Sequence, residues 1–367
     1  MGKVFTLLIV FCFLLAACMT MLKPISATST ENTWVTRASM PQALAGCKAA
    51  VFDGKIFVMG GLANYMYDPT TDIWTAKTTM PTPRMYFAIA VFQNEIYVIG
   101  GRNSNSAYSL NEVYYPSNDS WETKTSMPIA ASDIDANTIG EKIFVIWGSE
   151  NLVYNVLNDS WNNGTVMPHP VSAYAATVFN DRIYFFGGSS ERTVYCNYTQ
   201  IYNPNTDSWA SGVTILTNGP ENVAMSAVAT SGALSLRRIY VLGGWSADDV
   251  LSGSNRNRLY DPKNDSWTFG EQMPTGRVGV ALAVVDDTIY AIGGSPIYIS
   301  FTSVNEQYYP FGYGTPDLTT TPSPLASPFS TPAVPEYPSL IILTLLITIT
   351  VPALLVYFKK HKHIKML

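Results

Sequence analysis

The chain has 367 residues, 47% hydrophobic, 13% charged and 13% aromatic, with 25 Gly, 23 Pro and a formal net charge of −5. The charged share is about half the usual quarter, and 22 Tyr and 8 Trp are many; this excludes a solvating disordered chain and favours aromatic strands joined by Gly and Pro turns. The body is net acidic and carries no P-loop, dinucleotide fingerprint or basic helix, so nucleic acid is not an expected partner.

Met1-Gly2-Lys3 precedes an apolar run, Val4–Ala17, that is too short to cross a bilayer comfortably and has the length of a signal core. Ser26-Ala27 supplies small residues for cleavage, so residues 1–27 read as a signal peptide. Leu15-Ala16-Ala17-Cys18 also resembles a bacterial lipobox, which would put a lipid on Cys18; cleavage and lipidation both stay open.

Residues 28–312 are periodic. Trp34, Trp74, Trp121, Trp161, Trp209 and Trp267 are each followed by a small pair, 26 residues on in five of six cases and 34 after Trp209. The pairs are Gly60-Gly61, Gly100-Gly101, Gly187-Gly188, Gly243-Gly244 and Gly293-Gly294, with Trp147-Gly148 as a degraded version. Tyr67, Tyr114, Tyr154, Tyr202 and Tyr260 each precede a repeat Trp by seven, and Met-Pro follows most Trp positions. Interlocking intervals of this kind mark a tandem repeat. Each unit reads as four strands, with tight turns such as Asp53-Gly54, Asn180-Asp181 and Asp286-Asp287 after the first.

The Gly pair, the spaced Tyr and Trp, and Met-Pro resemble the kelch repeat over about residues 31–310. That resemblance implies a β-propeller with one four-stranded blade per repeat. The chain starts on a fourth-strand sequence, Thr33–Met40, and stops on a third-strand one, Asn305–Tyr309. The expected fold is therefore an all-β, six-bladed propeller closed by its N-terminal strand, without a free edge. Cys47 and Cys196 fall in blades one and four, too far apart for a disulfide, and are expected free.

The first strands start and the second strands end at one mouth, where variable loops hang on a constant scaffold. Candidate ligand-binding residues there are Arg84, Arg102, Asp133, His169, Trp245 and Arg277. Arginine in an acidic body suits a carboxylate or phosphate, although Arg84 and Arg277 could instead bridge blades. Trp245 could stack on a sugar or cap the core. Asp133 and Asp135 alternate along one strand, the pattern of a solvated face more than of an acid–base pair. One body histidine, His169, cannot make a two-histidine copper or three-histidine zinc site, so no cofactor or metal is expected. Asn118, Asn158, Asn163, Asn197 and Asn264 lie in glycosylation sequons.

Residues 313–338 form a Pro- and Thr-rich spacer unable to build a core. Residues 339–358 are apolar and read as a transmembrane helix, kinked by Pro352, with the basic tail 359–367 in the cytoplasm. Pro335-Glu336-Tyr337-Pro338 before that helix resembles the PEF-type sorting signals of some prokaryotic surface proteins. The expected protein is thus a single-pass, cell-surface propeller acting as a non-enzymatic recognition module for a glycan or an extracellular protein. A carbohydrate-modifying enzyme of the epimerase or lyase kind on the same scaffold is the alternative.

Overall fold

The computed structural model describes residues 31–314 apart from 45, 193–194, 218 and 247–250; the signal, most of the spacer, the apolar run and the basic tail lie outside the described residues. No helix among the described residues is long and apolar enough to cross a membrane.

A first strand, β1 (Thr33–Arg37), precedes five complete blades. Blade one is β2 (Lys48–Phe52), β3 (Lys55–Gly60), β4 (Ala63–Asp68) and β5 (Ile73–Ala76). Blade two is β6 (Ala88–Phe92), β7 (Glu95–Ile99), β8 (Asn111–Tyr115) and β9 (Ser120–Lys124). Blade three is β10 (Ala136–Ile139), β11 (Lys142–Trp147), β12 (Glu150–Asn155) and β13 (Ser160–Asn163). Blade four is β14 (Ala175–Phe179), β15 (Arg182–Phe186), β16 (Thr199–Asn203) and β17 (Ser208–Gly212). Blade five is β18 (Met225–Ala229), β19 (Ile239–Gly243), β20 (Asn257–Asp261) and β21 (Ser266–Phe269). In blade six, β22 (Ala281–Val285), β23 (Thr288–Ile292) and β24 (Asn305–Tyr309) pair in sequence, and β1 returns to complete the sheet.

The closure has an antiparallel register, Thr33 opposite Tyr309 and Arg37 opposite Asn305. The six innermost strands contact one another round the ring, β2 against both β6 and β22. They are rich in Ala, Val, Ser and Thr because strands converging on an axis leave room only for small side chains. The second strands, such as Lys55–Gly60 and Ile239–Gly243, are covered by blades on both sides and are almost continuously buried and apolar.

The periodic Tyr and Trp have a specific job. Tyr67, Tyr114, Tyr154, Tyr202 and Tyr260 donate their hydroxyls at 2.6 Å to Asp72, Asp119, Asp159, Asp207 and Asp265 in the turn that follows. Each aspartate also accepts a backbone N–H from the segment leaving the preceding blade: Ala38, Thr78, Thr125, Thr165 and Val213. The indole N–H of the repeat Trp donates to the carbonyl of that same residue, as Trp121 does to Thr78 at 3.0 Å and Trp209 to Thr165 at 2.9 Å. One residue of each blade is thus held at both its N–H and its carbonyl by the next blade. Asn32 and Trp34 do the same to Glu271, so the clamp runs through the closure as well. The aspartates sit at φ between 46° and 57°, a left-handed conformation that Asp and Asn tolerate best after Gly.

The degraded Trp147-Gly148 pair follows from loop length. In blades two, four, five and six both glycines of the pair have positive φ. In blades one and three a two-residue turn joins strands two and three, Gly60 pairing with Ala63 and Trp147 with Glu150. The first position there is an ordinary strand residue, and only Gly61 and Gly148 need the left-handed region. Cys47 and Cys196 are both buried thiols outside any disulfide.

Candidate functional site

The mouth is framed by one residue from each blade, set just ahead of its innermost strand: Gly46, Tyr86, Asp133, Ala173, Ala224 and Gly279, all at φ between 51° and 59°. Four of the six steps round this frame carry a backbone hydrogen bond: Tyr86 to Gly46, Asp133 to Tyr86, Ala224 to Ala173, and Gly279 to Ala224. Holding a tyrosine in the left-handed region costs about 1–2 kcal/mol, and such strain gathers at functional sites.

The frame opens on a cavity of about 440 Å³, which meets a channel of about 350 Å³ along the axis. Lys48 and Asp135 line both and form an ion pair from blade one to blade three, across the neck between them. Below that neck the channel wall is mostly Ala, Val and Thr.

Two opposite sectors of the mouth differ in chemistry. On blades two and three, the Arg102 guanidinium lies over the Tyr86 ring at 4.9 Å and its Nε is 3.7 Å from Asp133. Both charged side chains are substantially solvent-exposed. On blades five and six, Trp245 and Tyr298 stand with ring centres 6.2 Å apart, and Ile299 and Phe301 join them. Ile299 is 81% exposed, Tyr298 59% and Phe301 50%; Ile297 and Leu251 beside them are also exposed.

Of the residues the sequence singles out, Arg102, Asp133 and Trp245 line this cavity. Arg84 and Arg277 do not, and this corrects their reading as ligand contacts. Arg84 is fully buried, pairs with Glu112 and donates to the carbonyls of Thr82, Val98 and Gly100. Arg277 repeats the arrangement with Glu306 at 2.5 Å and the carbonyls of Thr275, Ala291 and Gly293. Thr82 and Thr275 donate to the remaining carboxylate oxygens of Glu112 and Glu306. Burial pulls the Arg277 guanidinium down to about 10, with Glu306 opposing, so it stays charged at neutral pH. With their donors spent inside the blade, both arginines bind the protein's own backbone.

His169 is also set apart from the mouth. It stacks on Tyr198 at 4.4 Å, its N–H and carbonyl held by the Gln200 amide, which occupies the position of Glu112 in blade four. Among the described residues no group of three His, Cys, Asp or Glu could hold a metal ion. Asn118, Asn158, Asn163 and Asn264 are exposed and Asn197 is half-buried.

The sequence did not point to Lys48, Tyr86, Tyr298, Ile299 or Phe301. For the buried arginines a signal was present: Thr-x-Arg at 82–84 and 275–277 recurs with Asn-Glu at 111–112 and 305–306, two residues before a repeat Tyr.

Comparison with known proteins fits this geometry. A family model described as the KLHDC2/KLHL20/DRC7 kelch-repeats domain matches residues 64–294, and a kelch motif matches residues 43–81. A kelch-like protein, terF, of Aspergillus terreus is 36% identical over 104 residues, covering 27% of this chain and 20% of its own. A kelch domain-containing protein of Sulfurisphaera tokodaii is 31% identical over 98 residues, covering 27% of this chain and 12% of its own. The chain spans a fifth or less of the length of these curated relatives. The solved structure of YjhT superposes with a TM-score of 0.63 at 15% identity, covering 73% of this chain and 96% of that one, a likeness of fold alone.

Proposed function

We propose, for a chain that belongs to the kelch-repeat family, that the propeller is a non-enzymatic recognition module holding a partner protein at the mouth. Propellers of this family are typically protein-interaction modules. The observation that carries the reading is the apolar sector of half-buried Trp245 with exposed Tyr298, Ile299 and Phe301, facing the Arg102–Asp133–Tyr86 sector across one cavity. Exposed Ile and Phe gain little from a sugar but bury well against a protein loop, and aromatic anchors near an arginine are the usual composition of a binding hot spot. The opposed charged sector would orient the partner and supply specificity. On this reading the module works outside a cell and tethered to its membrane, which the signal-like start, the spacer composition and the apolar C-terminal run of the sequence support.

Panning a displayed peptide library on the full chain, beside a Tyr298→Ser/Phe301→Ser variant, tests this. Enrichment of a peptide class with an apolar anchor, lost in the variant, is the expected result; enrichment that survives the variant overturns the assignment of the mouth.

A glycan is the second reading, favoured by the paired Trp245 and Tyr298 rings beside the Arg102–Asp133 pair. A glycan array probed with the same two proteins separates it from the first.

A further inference from the structure

The longest repeat has a use of its own. In blade five the turn between the first two strands is replaced by a loop, Thr230–Arg238, where the other blades have tight turns. Asp287 of blade six pins this loop, accepting the N–H groups of Ser231 at 2.6 Å, Leu234 at 2.8 Å and Ser235 at 3.2 Å. Thr230 closes it by donating to the Leu236 carbonyl at 2.7 Å. The loop lays Arg237 and Arg238 beside blade four, over a cavity of about 660 Å³ that Arg182 and Lys263 also line. These residues lie at the ends of first and third strands and the starts of second strands, so the groove is on the face opposite the mouth.

Four of the body's cations meet here although the body as a whole is acidic. One carboxylate, Asp261, lines the groove, and it is already engaged by Arg238 at 3.2 Å, by the Asn264 amide at 2.6 Å and by the Lys263 N–H at 2.9 Å. Among the described residues that leaves Arg182, Arg237 and Lys263 of this groove without a carboxylate partner. The Arg237 guanidinium lies over the Phe179 ring at 4.7 Å, and its Nε is buried without an acceptor. Its buried Nε is out of a ligand's reach, and the terminal amino groups are the paired donors with which such a guanidinium can grip an oxyanion. Asp261 meanwhile fixes Arg238 and leaves the groove with a surplus of positive charge.

We propose that this groove binds a phosphate- or sulfate-bearing ligand of about disaccharide size or smaller, held by Arg182, Arg237 and Lys263 and aligned by Arg238. It is a second site, independent of the mouth.

The test is calorimetric titration of the full chain, in nonionic detergent, with inorganic pyrophosphate and separately with a sulfated disaccharide. An Arg182→Gln/Lys263→Gln variant runs beside it; both side chains are exposed, so the fold is kept. Saturable binding of one ligand per chain, weakened at least tenfold in that variant and unchanged in Trp245→Ala, is the expected result. Binding by pyrophosphate alone assigns a phosphate ligand, and binding by the disaccharide alone a sulfated sugar. No saturable binding of either, or equal binding by wild type and the groove variant, overturns the proposal.

Discussion

Replacing Asp207 tests the inter-blade clamp at a single atom. Its carboxylate oxygen accepts the Tyr202 hydroxyl at 2.6 Å and the Thr165 N–H at 2.7 Å, and its φ is 48°. Asp207→Ala deletes both bonds, each worth about 1 kcal/mol at a site solvent reaches, and adds about 1 kcal/mol for alanine in the left-handed region. The total is about 3 kcal/mol, or a melting temperature lower by about 6 °C for a domain of this size. Asp207→Asn keeps an acceptor oxygen and tolerates the backbone, as Asn32 does at the sixth clamp, and is expected to cost about 1 kcal/mol, or about 2 °C. The Tyr202 hydroxyl and the Thr165 N–H hold the Asp207 carboxyl below its ordinary range. Asp119 and Asp159 are lowered too, burial opposing but outweighed by their Tyr and Thr donors. A depressed carboxyl contributes stability that is complete above its unfolded value, near about 4, and is lost as pH falls through the folded one. Wild type should therefore lose melting temperature below about pH 4, and Asp207→Asn should lose less over the same interval. Calorimetric melting of the three proteins from pH 7 to pH 3 gives the result. Equal melting of Asp207→Ala and wild type, or equal losses in the Ala and Asn variants, would refute the clamp.

Three other outcomes follow from the interior. Arg277→Met leaves Glu306 buried and unpaired, and should destabilise by about 3–5 kcal/mol in denaturant titration; Arg277→Met/Glu306→Gln should recover part of that, whereas a ligand-binding arginine would show neither effect. Burial pushes the Cys47 thiol up to about 11, so neither it nor the buried Cys196 should react with a thiol reagent at neutral pH until denaturant is added. Gly187→Ala places a Cβ 2.3 Å from the Asn222 carbonyl at φ 66°, and should lower the melting temperature more than Trp147→Phe, made where the same repeat position is an ordinary strand residue.

The fold was legible because most of the periodic residues do the same physical work from blade to blade. Trp and Tyr recur where one blade holds the next, and Gly recurs where the chain needs positive φ against a neighbouring carbonyl. Closure could be read from the strand types at the two ends, Thr33–Arg37 and Asn305–Tyr309. The site was only half legible. Arg84 and Arg277 attracted attention as cations in an acidic chain, but their partners Glu112 and Glu306 are 28 and 29 residues on, a separation that only the folded sheet brings together. Asp119, Asp159 and Asp265 stand in the sequence directly after the sequon asparagines Asn118, Asn158 and Asn264, but nothing there shows their bond to the preceding blade. Tyr298, Ile299 and Phe301 sit in the loop between the second and third strands of blade six, whose residues differ from those of the same loop in the other repeats, so no period announced them. Tyr86 is a single large residue at a position filled by Gly or Ala in four of the other blades.

The most direct measurement is a structure of the full chain bound to a peptide enriched by panning. Peptide density between Trp245, Tyr298 and Phe301 on one side and Arg102 on the other is the expected result. Density on the outer edge of a blade or in the groove of the opposite face, with the mouth empty, would contradict the assignment of recognition to the mouth.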